Sequence, residues 1–321
     1  MAKYKNQHTI TRAYLAGFTS EDTPSTLWRF DKSDGNCEQS SLEKATVKFY
    51  AFSFREPDGN WNHQVEQILS QIESKSIPLL QQVQRGRELT MSQKADVALL
   101  IATLIRRPAA LLDLFKAEME RLVGNRRHQH SLVDSLLPQL RGRFSEAEIE
   151  HARKKIDEGY FDRSVDEAKA HHMQVWLSTW PKYVECLTRM HWQIVKSAEG
   201  FFVTSDAPAF VRRHAHDEDP VYIGLGQTDL DIELIFPISN SHLLIARSKP
   251  IKAKVKAPKT RVQELNARIM RMSHRYVFSK SCSPELQRLF DNNRHFKAPL
   301  PDFTETRSTV AKKYGIAPEV L

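Results

Sequence analysis

Ser205 and Asp206 stand at the end of an apolar run, Phe201-Phe202-Val203-Thr204, and just before Ala207-Pro208. A small hydroxyl and a carboxylate held at a strand end are groups that acid–base or metal chemistry can use. The bland alternative is an Asx-type turn, in which Asp206 accepts from nearby backbone N–H groups. Three more polar residues stand beside strongly apolar segments: His8, Arg107 and Asn266. Glu66 and Glu73 lie seven apart in a helical pattern and share a face, a spacing that serves acid–base or metal chemistry or makes only a solvated stripe.

These residues suggest a phosphodiester hydrolase of nuclease type. His8 would be the general base, Asp206 would orient it or bind a metal, and Arg107 would hold a phosphate. The catalytic set is then His8, Arg107, Ser205 and Asp206, with Asn266 beside it. The cofactor stays open; a divalent metal on Asp206, Glu66 or Glu73 is the one these groups could hold. No established nuclease pattern is present, because Glu233 is followed by Leu234-Ile235 and not by x-Lys, and no HNH pair, Walker loop or GxSxG elbow occurs. His128-Gln129-His130 lacks a third ligand nearby, and adjacent His171 and His172 diverge by about 100° on a helix. Two other readings compete. One is a non-enzymatic module binding nucleic acid or another protein; the other is a buried His/Arg/Asp network that only fixes the fold.

Lys and Arg number 47 against 39 Asp and Glu, a net charge of +8, which favours polyanion partners. The basic segment 124–144 and the basic tail are the places expected to carry that contact. Cys37, Cys186 and Cys282 are widely spaced and form no CxxC pair, which suits a reducing cytoplasm. The first residues contain no apolar signal core, and no run approaches a membrane span, so no membrane partner is expected.

The elements that must position these groups follow from periodicity. Extended runs appear at Leu27–Asp31 and Val47–Phe52. Helical spacing dominates about 61–190, with Pro78 expected to start a new helix, Ser92 to cap the most apolar one and Pro108 to kink it. Ser145 with Glu148 forms a capping box. Glu199-Gly200 should turn a hairpin between 191–198 and 201–205, and further strands follow to about 280. The fold class is α+β: a mostly antiparallel sheet of N- and C-terminal strands with a large helical middle. The chain reads as one domain over 1–321, with its sheet region at about 191–280 and a loosely packed basic tail at about 292–321.

The order of short motifs resembles the bacterial DUF4238 family, a domain of unknown function. The matching residues are Asn6 and His8; Tyr14, Leu15 and Phe18; Trp28 and Phe30; Glu66 and Glu73. Arg106-Arg107-Pro108 approximates the family's Arg-x-Pro element. Phe-Val-Thr-Ser-Asp-Ala-Pro at 202–208 is similar to its Ser-Asp-Asn-Pro corner, with Ala207 in place of the usual Asn. Phe236-Pro237-Ile238-Ser239 and Leu265-Asn266 complete the set. The resemblance spans roughly 5–280 and implies a family but no activity.

Overall fold

In the computed structural model of the chain, the residues described are 6–300 apart from 57, 123–124, 126–128, 132, 135–136, 138–143, 159–164 and 214–231. The fold is α+β. The sequence reads as one unit; internal contacts group the chain into two compact units. Among the described residues, one comprises 6–53, 63–111 and 178–299, and the other comprises 54–62 and those of 112–177.

The first unit holds two main sheets. Strands β2 (Thr26–Asp31) and β3 (Cys37–Ser41) pair antiparallel, and β13 (Tyr276–Ser279) joins β2 on its other side. The short β8 (Thr204–Ser205) closes that sheet against β13. The second sheet has the order β12-β7-β11-β10-β9. Its strands are β7 (His191–Ser197), β9 (Phe210–Arg213), β10 (Ile232–Pro237), β11 (His242–Arg247) and β12 (Lys254–Ala257). All pairings are antiparallel except β12 with β7. Residues alternate across the two faces, so Val195, Leu243 and Ile245 enter the core while Trp192, Ile194 and Lys196 point the other way.

Helix α7 (Lys259–Met272) covers the core face with Val262, Leu265, Ile269 and Met270. A short helix α8 (Pro284–Asp291) adds Leu286 and Phe290, and the Phe290 ring sits 5.2 Å from that of Phe30. Cys37 and Cys282, remote in sequence, meet within hydrogen-bonding reach beside this core, where burial pushes the Cys37 thiol up.

The expected 191–205 hairpin does not form. Gly200 does turn the chain, at φ +83°, but β7 pairs with β11 and β12, while β8 belongs to the other sheet. Phe202 N–H donates to the Asn240 carbonyl instead of to β7. The two apolar runs are adjacent in sequence but serve different sheets, which local propensity does not reveal.

The N-terminal segment is the clasp of this unit. Strand β1 (Asn6–His8) pairs with β4 (Val47–Phe49), and a short helix α1 (Arg12–Leu15) follows, capped by the Thr11 side chain. Tyr14 is buried, and its hydroxyl donates to the Pro237 carbonyl at 2.7 Å and lies 2.9 Å from Thr204 Oγ1. Its ring packs on Phe236 at 5.4 Å and Phe18 at 5.3 Å. Burial raises the Tyr14 phenol far beyond its usual range, so it stays a neutral donor.

Helices α2 (Gln64–Gln84) and α3 (Met91–Arg106) pack together in the same unit. Pro78 lies inside α2 and does not start a new helix. Thr90, not Ser92, caps α3 through a full capping box with Gln93. At Arg107-Pro108 the helix ends outright; α4 (Ala109–Leu122) begins afresh, because Pro108 cannot donate to the turn before it.

In the second unit, α5 (Glu146–Asp157) begins at the expected Ser145–Glu148 capping box. Strands β5 (Phe54–Arg55) and β6 (Trp61–Asn62) form a small ribbon. Ile149, Ile156, Met173 and Trp176 are buried there. Helix α6 (Val165–Arg189) runs from this unit into the first. Most of the basic 124–144 segment, the side chains of His171 and His172, and the tail beyond 300 lie outside the described residues. Among the described residues no helix is long and apolar enough to cross a membrane.

Candidate functional site

Of the residues singled out from sequence, His8, Arg107, Glu66 and Glu73 come together. Arg107 caps the end of α3 and is 2% exposed. Its guanidinium forms an ion pair with Glu73 and donates to the His8 carbonyl at 2.6 Å. It also lies over the Phe52 ring, 5.1 Å from the centroid. The His8 imidazole turns elsewhere, with Nε2 3.1 Å from the Glu43 carbonyl. Burial holds the His8 ring below its ordinary value, reinforced by Arg12 and Arg107. Glu66 is half-buried with Oε2 unpartnered, and burial raises its carboxyl; nearby Arg107 lowers it and Glu73 raises it further.

A second chain of hydrogen bonds fixes the same corner. Gln7 accepts from Phe52 N–H at 2.7 Å and donates to Ser53 Oγ at 2.6 Å, and Ser53 Oγ lies 2.7 Å from His63 Nδ1. Ser53 is fully buried, so this serine–histidine contact is a tie between segments and offers no open nucleophile. The guanidinium of Arg107 is likewise enclosed, its Nη groups already bonded to Glu73 and His8.

Ser205, Asp206 and Asn266 have other partners. Asp206 accepts from three consecutive backbone N–H groups, His274 at 2.9 Å, Arg275 at 2.7 Å and Tyr276 at 3.0 Å. It acts as a lid on the start of β13. Ser205 Oγ accepts from Ala207 N–H and donates to the Ala207 carbonyl. Asn266 bridges Val203 N–H and the Phe201 carbonyl at 3.0 and 2.9 Å. No hydrogen bond or ion pair joins Asp206 to His8 or Arg107. Pro108 and Ala207, their chain neighbours, line a common cavity of about 40 Å³ whose other walls are mostly apolar, with His274 its one titratable group. That volume suits a water or two and not a substrate. Lys32 stands near Asp206, its Nζ donating to the carbonyls of Met270, Ser273 and Phe296; burial lowers it to about 8. Among the described residues, no three His, Cys, Asp or Glu side chains converge to hold a metal ion.

A much larger open feature lies elsewhere. A groove of about 1260 Å³ runs over the non-core face of the five-stranded sheet at its β7–β12 edge. It is walled by the turn between α2 and α3. Its lining contains seven Lys and Arg against one carboxylate, Glu88. The strand edge supplies Lys196, Lys252, Lys254 and Lys256; the wall supplies Arg85, Arg87 and Lys94. Lys94 is tied to the Thr188 and Met190 carbonyls and lies over the Trp192 ring at 4.9 Å. Lys254 reaches the Gly86 carbonyl and Glu88. Arg85, Arg87, Lys196, Lys252 and Lys256 are exposed and have no side-chain partner among the described residues.

A signal for this groove is present in the sequence. Lys252, Lys254 and Lys256 alternate in Ile251-Lys-Ala-Lys-Val-Lys-Ala257, the spacing that places a charge at every second residue of a strand. Arg85 and Arg87 give no comparable pattern, because their place opposite this edge depends on how α2 and α3 pack.

The motif residues that carry the family resemblance are thus mostly structural ties: Tyr14 to Pro237, Asn266 to the 201–203 segment, Asp206 to β13. No curated protein and no solved structure matches the chain. The family model for a protein of unknown function, DUF4238, matches residues 6–283, and the chain belongs to that family.

Proposed function

We propose that the protein binds a nucleic-acid strand along the basic groove. The observation that supports this reading is the groove's charge: seven cationic side chains, five of them without a side-chain partner among the described residues, against a single glutamate. Like charges gathered in this way repel one another, and a bound polyanion relieves that repulsion while releasing counterions. The volume exceeds the roughly 300–1,000 Å³ of a small-molecule pocket and suits a segment of a polymer. Alternate residues of an extended strand repeat every ~6.6 Å, comparable with the step between neighbouring phosphates of an extended nucleic-acid strand. Trp192 lines the groove floor with the Lys94 ammonium over its ring.

A hydrolytic reading built on His8, Arg107 and Asp206 has less support, since these groups are enclosed or bonded to backbone. The test is fluorescence anisotropy with labelled single-stranded and duplex oligonucleotides. Wild type should bind at about 50 mM salt and lose at least tenfold in affinity by about 200 mM. Lys252→Glu/Lys256→Glu should abolish binding at both salts while leaving the unfolding midpoint unchanged. Absence of wild-type binding at low salt, or full binding by the double variant, overturns the proposal. Incubation of the same complexes with magnesium reads strand cleavage directly, which the hydrolytic alternative requires.

A further inference from the structure

The floor of the groove carries a feature more specific than surplus charge. His242, Lys196 and Lys256 stand directly opposite one another on β11, β7 and β12. Residues paired in this way project from the same face, with Cβ atoms about 4.5–5.5 Å apart, and like charges so placed are unfavourable. The one carboxylate of the groove, Glu88, is engaged with Lys254, one row away. His242 is 7% exposed, yet it lines the groove. Its Nδ1 lies 2.9 Å from Ser241 Oγ, and Nε2 has no partner among the described residues. A ring nitrogen of a nearly buried side chain is therefore left unpartnered among the described residues beside the Lys196 ammonium, with Lys256 next in the same row.

We propose that this row seats one phosphate group of the bound strand, and that His242 takes up a proton from solvent when the phosphate arrives. The proposal rests on the nucleic-acid reading of the groove. In the free protein, burial and then the Lys196 charge hold the His242 ring below its ordinary value, so it is neutral at neutral pH. A phosphate oxygen at Nε2 brings the opposite charge and favours the imidazolium. The ring then donates from both nitrogens, to phosphate at Nε2 and to Ser241 Oγ at Nδ1. Ser241 Oγ can turn to accept that bond, because its own proton has Ser239 Oγ as an acceptor 3.2 Å away. No covalent bond is made or broken; one proton moves from solvent to the ring.

The other charged groups facing this row are Lys252 and Lys254 at the β12 edge, Arg85, Arg87 and Glu88 on the α2–α3 turn, and Lys94 on α3. His191, at the start of β7, is the second imidazole in the groove, and His151, exposed on α5 and outside the groove lining, serves as the control.

The experiment measures oligonucleotide affinity of the full chain from about pH 8 to about pH 5.5 at fixed ionic strength. Wild-type affinity should rise as pH falls, by up to about tenfold per pH unit between the free and bound midpoints of His242. His151→Gln should follow wild type, and His242→Gln should lose most of the response. Oligonucleotides with and without a terminal phosphate monoester are compared. A pH response only with the monoester assigns the seat to a strand end; a response with both assigns it to backbone phosphodiesters. The His242 imidazole resonance of wild type should also titrate at higher pH with oligonucleotide than without, a readout that needs no variant and decides the matter if His242→Gln fails to fold. Binding with an unmoved His242 midpoint, or an undiminished pH response in a folded His242→Gln, overturns the seat and leaves the groove reading intact. Absence of any wild-type binding at low salt removes both.

Discussion

Arg107 is enclosed, charged and held by two partners, so its replacement separates a structural role from a catalytic one. Arg107→Met leaves the Glu73 carboxylate, 18% exposed, without its cation. Breaking such a pair from one side should cost about 3–5 kcal/mol, read as a lower denaturant midpoint, and adding Glu73→Leu should recover most of the loss. Asp206→Asn replaces one acceptor oxygen by an amide NH₂ that must face a backbone N–H. A loss of about 3 kcal/mol is expected in the same assay, because bonds from charged acceptors are the strong ones; an unchanged midpoint would show that the 274–276 amides do not depend on this carboxylate. Glu66 offers a pH test. Its carboxyl is raised above the ordinary 4.5 on folding, so the folded state binds more protons there than the unfolded chain. The stability it contributes is present below about pH 4.5 and is lost as pH rises through the folded value. Glu66→Gln should therefore gain on wild type between acidic and neutral pH, measured as the difference in urea midpoints at two pH values; parallel midpoints would rule out a raised Glu66.

At the level of elements, what the sequence disclosed followed the range of the interaction. The Ser145–Glu148 box lies within one turn, and the structure has it where the residues place it. The start of α3 was displaced by two residues because Thr90 has Gln93 three positions on, whereas Ser92 has only Asp96 and Ala95 near it. Thr90→Ala should cost about 1 kcal/mol and Ser92→Ala far less, in thermal or denaturant unfolding. The 191–205 hairpin failed for a different reason. Its turn is real at Gly200, but strand pairing is decided by partners up to 74 residues away, such as Lys254 opposite Ile194 and Phe278 opposite Thr204. At the Ser205-Asp206 corner no Asx-type turn is made by Asp206: the local bond is from Ala207 N–H to Ser205 Oγ, and the amides that Asp206 accepts from come from 274–276, which no local pattern links to it. His8 and Arg107 could be picked out as polar residues beside apolar segments, but not that the contact runs through the His8 carbonyl and not its ring.

Across the molecule, several histidines are held neutral by burial. His8, His242 and His274 all lie below their ordinary value, chiefly by desolvation. For each, the folded state binds fewer protons than the unfolded chain as pH falls through 6.5, so stability declines on the acid side of that point. The urea midpoint should be lower at about pH 5.5 than at about pH 7.5, and His274→Gln should flatten the difference, if it tolerates the ring's loss. The clasp formed by Tyr14 has a consequence for how the chain comes into being. The hydroxyl's two partners, Thr204 and Pro237, lie 190 and 223 residues further along. During synthesis at ~5–20 residues per second, Tyr14, Leu15 and Phe18 emerge from the ribosome tens of seconds before the surface that will bury them exists. The Tyr14 segment is thus made well before the surface it docks on, an apolar strip open to chaperones in the interval, and a nascent chain arrested before Pro237 has nowhere to put it.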